Sequence, residues 1–213
     1  MRLISVFWIV NFIVIGCFQK EKARDPVPAK PTFLVLIDPA HGGRDPGGIA
    51  DSWVLEKDLV LSIARTIVDS LVANKIPARL SRTADYYLSS PNRLQIAKKI
   101  KADLLISVHL NLSKLPTETG WQSYYQANNP QSHLFDRLLH EEMQQIEFLP
   151  DRGSCTGEFH LLTHASLPVV MIDLGYITHP HDLQLLTRPS VQKSLAGIFR
   201  QALQRYLLAI SAG

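Results

Sequence analysis

Cysteine is scarce in this 213-residue chain, which carries only Cys17 and Cys155. Cys17 stands at the end of an apolar leader, so a single thiol is left for the body and no intramolecular disulfide is available to it. The fold must therefore rest on a hydrophobic core. The glycine-rich stretch GGRDPGG (42–48) lacks the Gly-Lys-Ser/Thr of a phosphate loop, which argues against nucleotide binding. No Gly-x-Ser-x-Gly elbow is present, so serine-hydrolase chemistry has no nucleophile. Excess charge is missing from the body as well. Residues 1–32 hold five basic and two acidic side chains, which accounts for the formal +3 of the whole chain and leaves residues 33–213 neutral. A neutral body argues against nucleic acid as the main partner. There is no internal repeat. With 46% hydrophobic and 19% charged residues, the chain is long enough for one globular domain and short for two.

The leader reads MRLISVFWIVNFIVIGC. Its apolar part, residues 3–15, is too short for a membrane span of about 20 residues and suits a secretory segment of about 7–15. The end, VIGC (14–17), resembles the lipobox of bacterial lipoproteins. That resemblance implies a signal peptide over residues 1–16 and lipid attachment at Cys17. Residues 17–32 then form a lipidated cysteine and a tether, charged and proline-containing. The expected location is the cell envelope, exported and anchored to a membrane through the lipid. Phe18, in place of the Asp that retains lipoproteins at the inner membrane, points to the periplasmic face of the outer membrane in a diderm cell.

Within the body, strands are expected at FLVLID (33–38), ARLS (78–81), DLLISVHL (103–110), SYYQ (123–126), FHLLTH (159–164) and VVMID (169–173). Helices are expected from Glu56 to about Ala73, where Val60, Ile63, Ala64, Ile67, Val68 and Leu71 recur at helical spacing, and at 91–101, 133–146 and 190–210. This alternation predicts one α/β domain over residues 33–213, a mixed, mainly parallel sheet flanked by helices on both faces. Functional residues in such sheets gather beyond the carboxyl ends of the strands. Three apolar runs end at polar groups: the first leads into His41, the second contains His109 and Asn111, and the third delivers Asp173.

Composition alone does not select a site among eight histidines and nineteen carboxylates. Order of motifs does. IDPAHGGRDPGG (37–48), LEKD (55–58), SVHLN (107–111) and IDLGY (172–176) resemble, in sequence order, the signatures of the zinc-dependent N-acetylmuramoyl-L-alanine amidases of the amidase-3 family. RLSRT (79–83), NRLQIA (92–97), DRG (151–153) and the terminal helix fall where that family has similar segments. The resemblance implies a Zn²⁺ site built from His41, Glu56 and His109. It also implies peptidoglycan as substrate, with hydrolysis of the amide between N-acetylmuramic acid and L-Ala. Two imidazoles and a carboxylate are a common catalytic zinc set, and Asp173 takes the place of the carboxylate that moves the proton. Asn111 and Arg93 match polar family positions and are assigned to substrate or to orienting the ligands; structural ion pairing is the other reading for Arg82 and Arg93.

The chain departs from the family at several points. Ala40 replaces a glycine; Ala is disfavoured there if φ is positive and accepted if the backbone is extended. Asp173 replaces a Glu, shortening the arm by about 1.5 Å, and a misplacement of about 1 Å can cost on the order of 10²-fold in rate. An alternative function follows: a weak or inactive relative that binds wall material or a partner through the same cleft. A zinc peptidase is a third. The stretches after His109 and over 126–150 are too short for an occluding helical insertion, so an open cleft is expected. An activator protein is not evident in the sequence. His179-Pro180-His181 reads as a turn with a surface or groove role.

Overall fold

The computed structural model describes residues 33–50, 53–115 and 117–212. The expected signal peptide, Cys17 and the tether lie outside these residues. A six-stranded sheet is built from β1 (Val35–Pro39), β2 (Ala78–Leu80), β3 (Leu104–Asn111), β4 (Trp121–Tyr125), β5 (Asp151–Thr156) and β6 (Val169–Tyr176). The strand order is β2-β1-β3-β6-β4-β5. All neighbours are parallel except β4 and β6. The helices are α1 (Glu56–Ala73), α2 (Ser90–Ile100), α3 (Pro130–Met143), α4 (His160–His164), α5 (Pro180–Leu186) and α6 (Pro189–Ser211). The mixed, mainly parallel sheet is the one expected.

Alternation along the strands divides the core unequally. Val35 and Ile37 of β1, Leu104, Ile106 and Val108 of β3, and Val170 and Ile172 of β6 meet the long helices α1, α3 and α6 in the larger cluster. Leu36, Leu105, Val169 and Met171 face the other way, against Ala97 of α2 and Leu161 and Leu162 of α4. Side chains alternate with a period of two. His109 and Asp173 therefore continue the second set and emerge on the thinly covered face. β1, β3 and β6 end together, so the loops after them share one edge of the sheet.

α1 begins where sequence periodicity places it. Its N-cap, Leu55, supplies no side-chain hydrogen bond, while Glu56 and Asp58 put negative charge in the first turn, where the helix dipole favours it. α2 is capped by Ser89, whose hydroxyl accepts from Asn92 N–H, and has a proline in its first turn.

Two expectations need correction. FHLLTH (159–164) is not a strand: His160–His164 form one short helix, with Thr163 N–H donating to the Phe159 carbonyl at 2.9 Å. Leu161 and Leu162 are buried as adjacent residues, a helical pattern that six residues are too few to separate from a buried strand. The turn read at His179-Pro180-His181 runs on into α5, with His179 as its N-cap. β5 has no apolar signal at all, being an exposed edge strand paired only with β4.

On α3, Asp136 is buried against β4 and β5. Ser154 Oγ donates to its Oδ2, while its Oδ1 has no hydrogen-bond partner among the described residues. Burial raises its pKa, opposed by the Ser154 hydrogen bond, by the nearby Ser123 hydroxyl and by His140 and His133. A carboxyl whose folded pKa is raised destabilises the native state once it ionises, and costs nothing below its unfolded pKa. Asp136→Asn is therefore expected to raise the urea midpoint near pH 8, with the gain shrinking as pH falls through the raised pKa. A gain that grows toward low pH would contradict this.

Candidate metal centre

The loop after β1 sets the first imidazole. His41 has a left-handed φ of 59°, whereas Ala40 is buried and keeps a negative φ. The alanine therefore costs nothing by its backbone, and the strain sits on the histidine. Two buried arginines hold this loop. Arg82 donates to the carbonyls of Pro39 at 3.0 Å and Ala40 at 2.8 Å. Arg93 donates to those of Pro39 at 2.9 Å, His41 at 2.7 Å and Leu88 at 3.1 Å. The Arg93 charge is paired with Asp38 at 2.5 Å, and Asp38 also accepts from the hydroxyls of Ser81 and Ser107. Asp38 is wholly buried. Arg93 thus spends four hydrogen bonds on the protein itself.

Glu56, first residue of α1, reaches over the sheet edge. Its Oε2 accepts from Gly48 N–H at 2.8 Å and its Oε1 from Leu110 N–H at 2.9 Å. A Cβ at Gly47 would stand 2.6 Å from both Glu56 Oε2 and His41 Cδ2, so only glycine lets the chain pass against these two side chains. His41 Nε2 is 3.1 Å from Glu56 Oε1, and His109 Nδ1 is 3.5 Å from the same oxygen. One donor atom from each of the three residues lies within 4.8 Å of the others.

Asp45 Oδ2 lies 3.0 Å from His41 Nδ1. Such a carboxylate holds the proton on Nδ1 and leaves Nε2 bare toward Glu56. Two acceptors 3.1 Å apart attract only with a cation or a proton between them. The pKa shifts carry the same message. Burial disfavours charge on His41, but Glu56 and Asp45 outweigh it and raise the imidazole's pKa. Burial likewise disfavours the Glu56 carboxylate, yet hydrogen bonds with His109 and His41 hold it well below the usual carboxylate range. The group is a fixed anion facing two imidazoles, and its donor set suits a borderline divalent metal.

Asp173 stands apart from this trio. Its Cα pairs with His109 on one neighbouring strand and with Gln122 on the other. Burial is the largest influence on its pKa and raises it, Glu56 adds to the rise, and His109 and the nearby Tyr124 hydroxyl oppose it. The Tyr124 phenol is itself pushed up to about 12 by burial and by Asp173, and its hydroxyl donates to Gln122 Oε1 at 3.0 Å. One carboxylate is thus held ionised and the other, one strand over from His109, is made a better proton acceptor.

Residues 35–205 match the sequence family described as N-acetylmuramoyl-L-alanine amidase (amidase-3). The chain belongs to this family. The sporulation-specific N-acetylmuramoyl-L-alanine amidase of Bacillus subtilis (strain 168) is 34% identical over 166 residues, 76% of this chain and 63% of that relative. The B. subtilis protein YqiI is 29% identical over 188 residues, 87% of this chain and 88% of YqiI. The crystal structure of an N-acetylmuramoyl-L-alanine amidase from Clostridium difficile 630 superposes with a TM-score of 0.79 at 31% identity, covering 83% of this chain and 97% of that one.

Of the residues singled out by sequence, this amidase-family fold brings His41, Glu56 and His109 together and sets Asp173 beside them. Arg93 is placed beneath the His41 loop. Asn111, at the end of β3, has its Oδ1 on Leu112 N–H at 2.8 Å rather than on a candidate ligand. The sequence assigns no role to Asp45, Asp38, Gln122 or Tyr124. Asp45 alone left a local signal, a carboxylate four residues after His41 in a glycine-rich loop. The cleft is open among the described residues: the His41 and His109 side chains remain 23% and 22% exposed. A cavity of about 210 Å³ beside them is walled by Tyr87, Phe159 and His160.

Proposed function

We propose that the protein is a zinc-dependent N-acetylmuramoyl-L-alanine amidase of the cell envelope, hydrolysing the amide between the lactyl group of N-acetylmuramic acid and L-Ala of peptidoglycan. The observation that carries this reading is the convergence of His41, Glu56 and His109 with Asp173 in register beside His109. His41 Nε2, His109 Nδ1 and a Glu56 oxygen would hold the ion. Bound zinc supplies Lewis acidity, polarising the scissile carbonyl and lowering the pKa of a water. Asp173 accepts the proton of the attacking water and returns it to the departing amine, leaving a lactyl carboxylate and a free L-Ala amino group. Asp45 keeps His41 in the tautomer that presents Nε2. Arg82 and Arg93 hold the strained backbone of the same loop.

Digestion of purified sacculi tests the bond assignment. The expected products are glycan strands stripped of peptide and stem peptides with a free N-terminal L-Ala. Fragments that keep the lactyl–Ala amide and are cut within the peptide would make the protein a peptidase instead.

The lipid anchor rests on VIGC (14–17) and the apolar segment before it. Cys17→Ser is expected to move the protein from the membrane fraction to the soluble one. Retention in the membrane fraction would favour an uncleaved leader.

A further inference from the structure

A second group of donors converges at the other side of the β6 edge. After Tyr176 the chain turns, and α5 starts at Pro180 with His179 as its cap. One donor atom each from His179, His181 and Asp182 lies within 4.8 Å of the others. We propose that these three residues form a second transition-metal site, separate from His41, Glu56 and His109, which takes a borderline divalent ion such as Zn²⁺.

The chemistry of the set is that of two imidazoles and one carboxylate, which selects zinc-like ions over magnesium or calcium. Its carboxylate is preset. Asp182 is wholly buried, and its Oδ2 accepts from Gly120 N–H at 3.0 Å and Tyr176 N–H at 2.9 Å. Its Oδ1 accepts from Thr119 Oγ1 at 2.5 Å and faces His179 Nδ1 at 3.0 Å and His181 Nδ1 at 4.0 Å. Outer hydrogen bonds of this kind orient a ligating carboxylate.

His179 carries a conflict. Its Nδ1 lies 3.4 Å from Asp182 N–H, which needs a bare nitrogen, and 3.0 Å from Asp182 Oδ1, which needs a proton or a cation. A neutral imidazole satisfies one contact and opposes the other. An ion shared by the two imidazoles and Oδ1 satisfies the carboxylate without a proton and takes the single Nδ1 lone pair in place of the longer Asp182 N–H contact. The cap accounts for His179 and the backbone bracket accounts for Asp182, but neither uses His181. That side chain is 55% exposed and free to swing onto the ion. Among the described residues no second carboxylate joins this group, so its role is to brace. Through Asp182 it would tie the tail of β6 to the Thr119–Gly120 entry of β4.

The test is to titrate the metal-free full-length protein with zinc chloride, counting ions by native mass spectrometry and calorimetry. The parent is expected to bind two ions. His179→Asn keeps a good capping side chain; combined with His181→Ala it should bind one ion and keep sacculus hydrolysis. His41→Ala with His109→Ala should also bind one ion, now at the second site, and lose hydrolysis. All four substitutions together should bind none. Should His179→Asn impair folding, the exposed His181→Ala alone must still weaken the second binding event. A single ion in the parent overturns the proposal, as does a second ion that survives His179→Asn/His181→Ala. A second ion that leaves instead with His160→Ala, whose ring stacks on His164 at 4.1 Å, overturns it too. Two ions remaining in His41→Ala/His109→Ala would count against the catalytic assignment and not against this one.

Discussion

Asp173→Asn is expected to bind zinc as the parent does and to lose sacculus hydrolysis by about 10²–10⁴-fold, the range for removal of a general acid–base group. The amide is nearly isosteric, so it keeps β6 in register between His109 and Gln122 while removing the proton acceptor. Asp173 is outside the trio of candidate ligands, so metal content should not follow activity down. An unchanged rate would end its assignment as base; loss of zinc together with activity would make it a ligand. Asp173→Glu addresses the short arm. If about 1.5 Å of reach limits the parent, kcat rises with KM little changed. If the parent is inert and only Asp173→Glu is active, the wall-binding relative is the better reading.

Arg93→Met is expected to lower the unfolding free energy by about 3–5 kcal/mol, the cost of leaving one member of a buried ion pair alone. Asp38 is wholly buried and would keep only the Ser81 and Ser107 hydroxyls. The carbonyl of His41 would lose its donor at the same time. Asp38→Asn with Arg93→Met removes both charges and should recover part of the loss, a coupling that urea denaturation of the two single variants and the double variant measures. Additive effects would show that the pair is not a unit. A mild loss in Arg93→Met accompanied by a raised KM would return Arg93 to the substrate side of the cleft.

What the sequence makes legible depends on distance along the chain. α1 announces itself through apolar residues that recur over eighteen positions, and β1, β3 and β6 through runs too apolar to lie anywhere but inside. α4, with five residues, and α5, with seven, offer too few positions for periodicity to act. β5 is an exposed edge of Asp, Arg, Gly, Ser, Cys and Thr, held by main-chain pairing that composition does not report.

The site divides in the same manner. His41, Glu56 and His109 were found through the order of short motifs. No property of the individual side chains pointed to them. The supports around them could not be found so. Asp38 meets Ser81, Arg93 and Ser107 across 43, 55 and 69 residues, separations over which no local pattern persists. The motif around Asp173 marks it in the sequence, but Tyr124 and Gln122 join it only through the antiparallel pairing of β4 with β6.

Glu56 is both a candidate ligand and the opening residue of α1, a helix whose first N–H groups bond to the carbonyls of Gly48, Pro46 and Leu55 and receive no capping side chain. The two backbone hydrogen bonds from Gly48 and Leu110 that aim the carboxylate also staple that helix end to the sheet. Fraying of the first turn would therefore withdraw a ligand, and a bound ion would in turn suppress the fraying. The rate at which metal leaves is then tied to the local opening of a helix terminus, and hydrogen exchange at residues 57–59 becomes a gauge of occupancy.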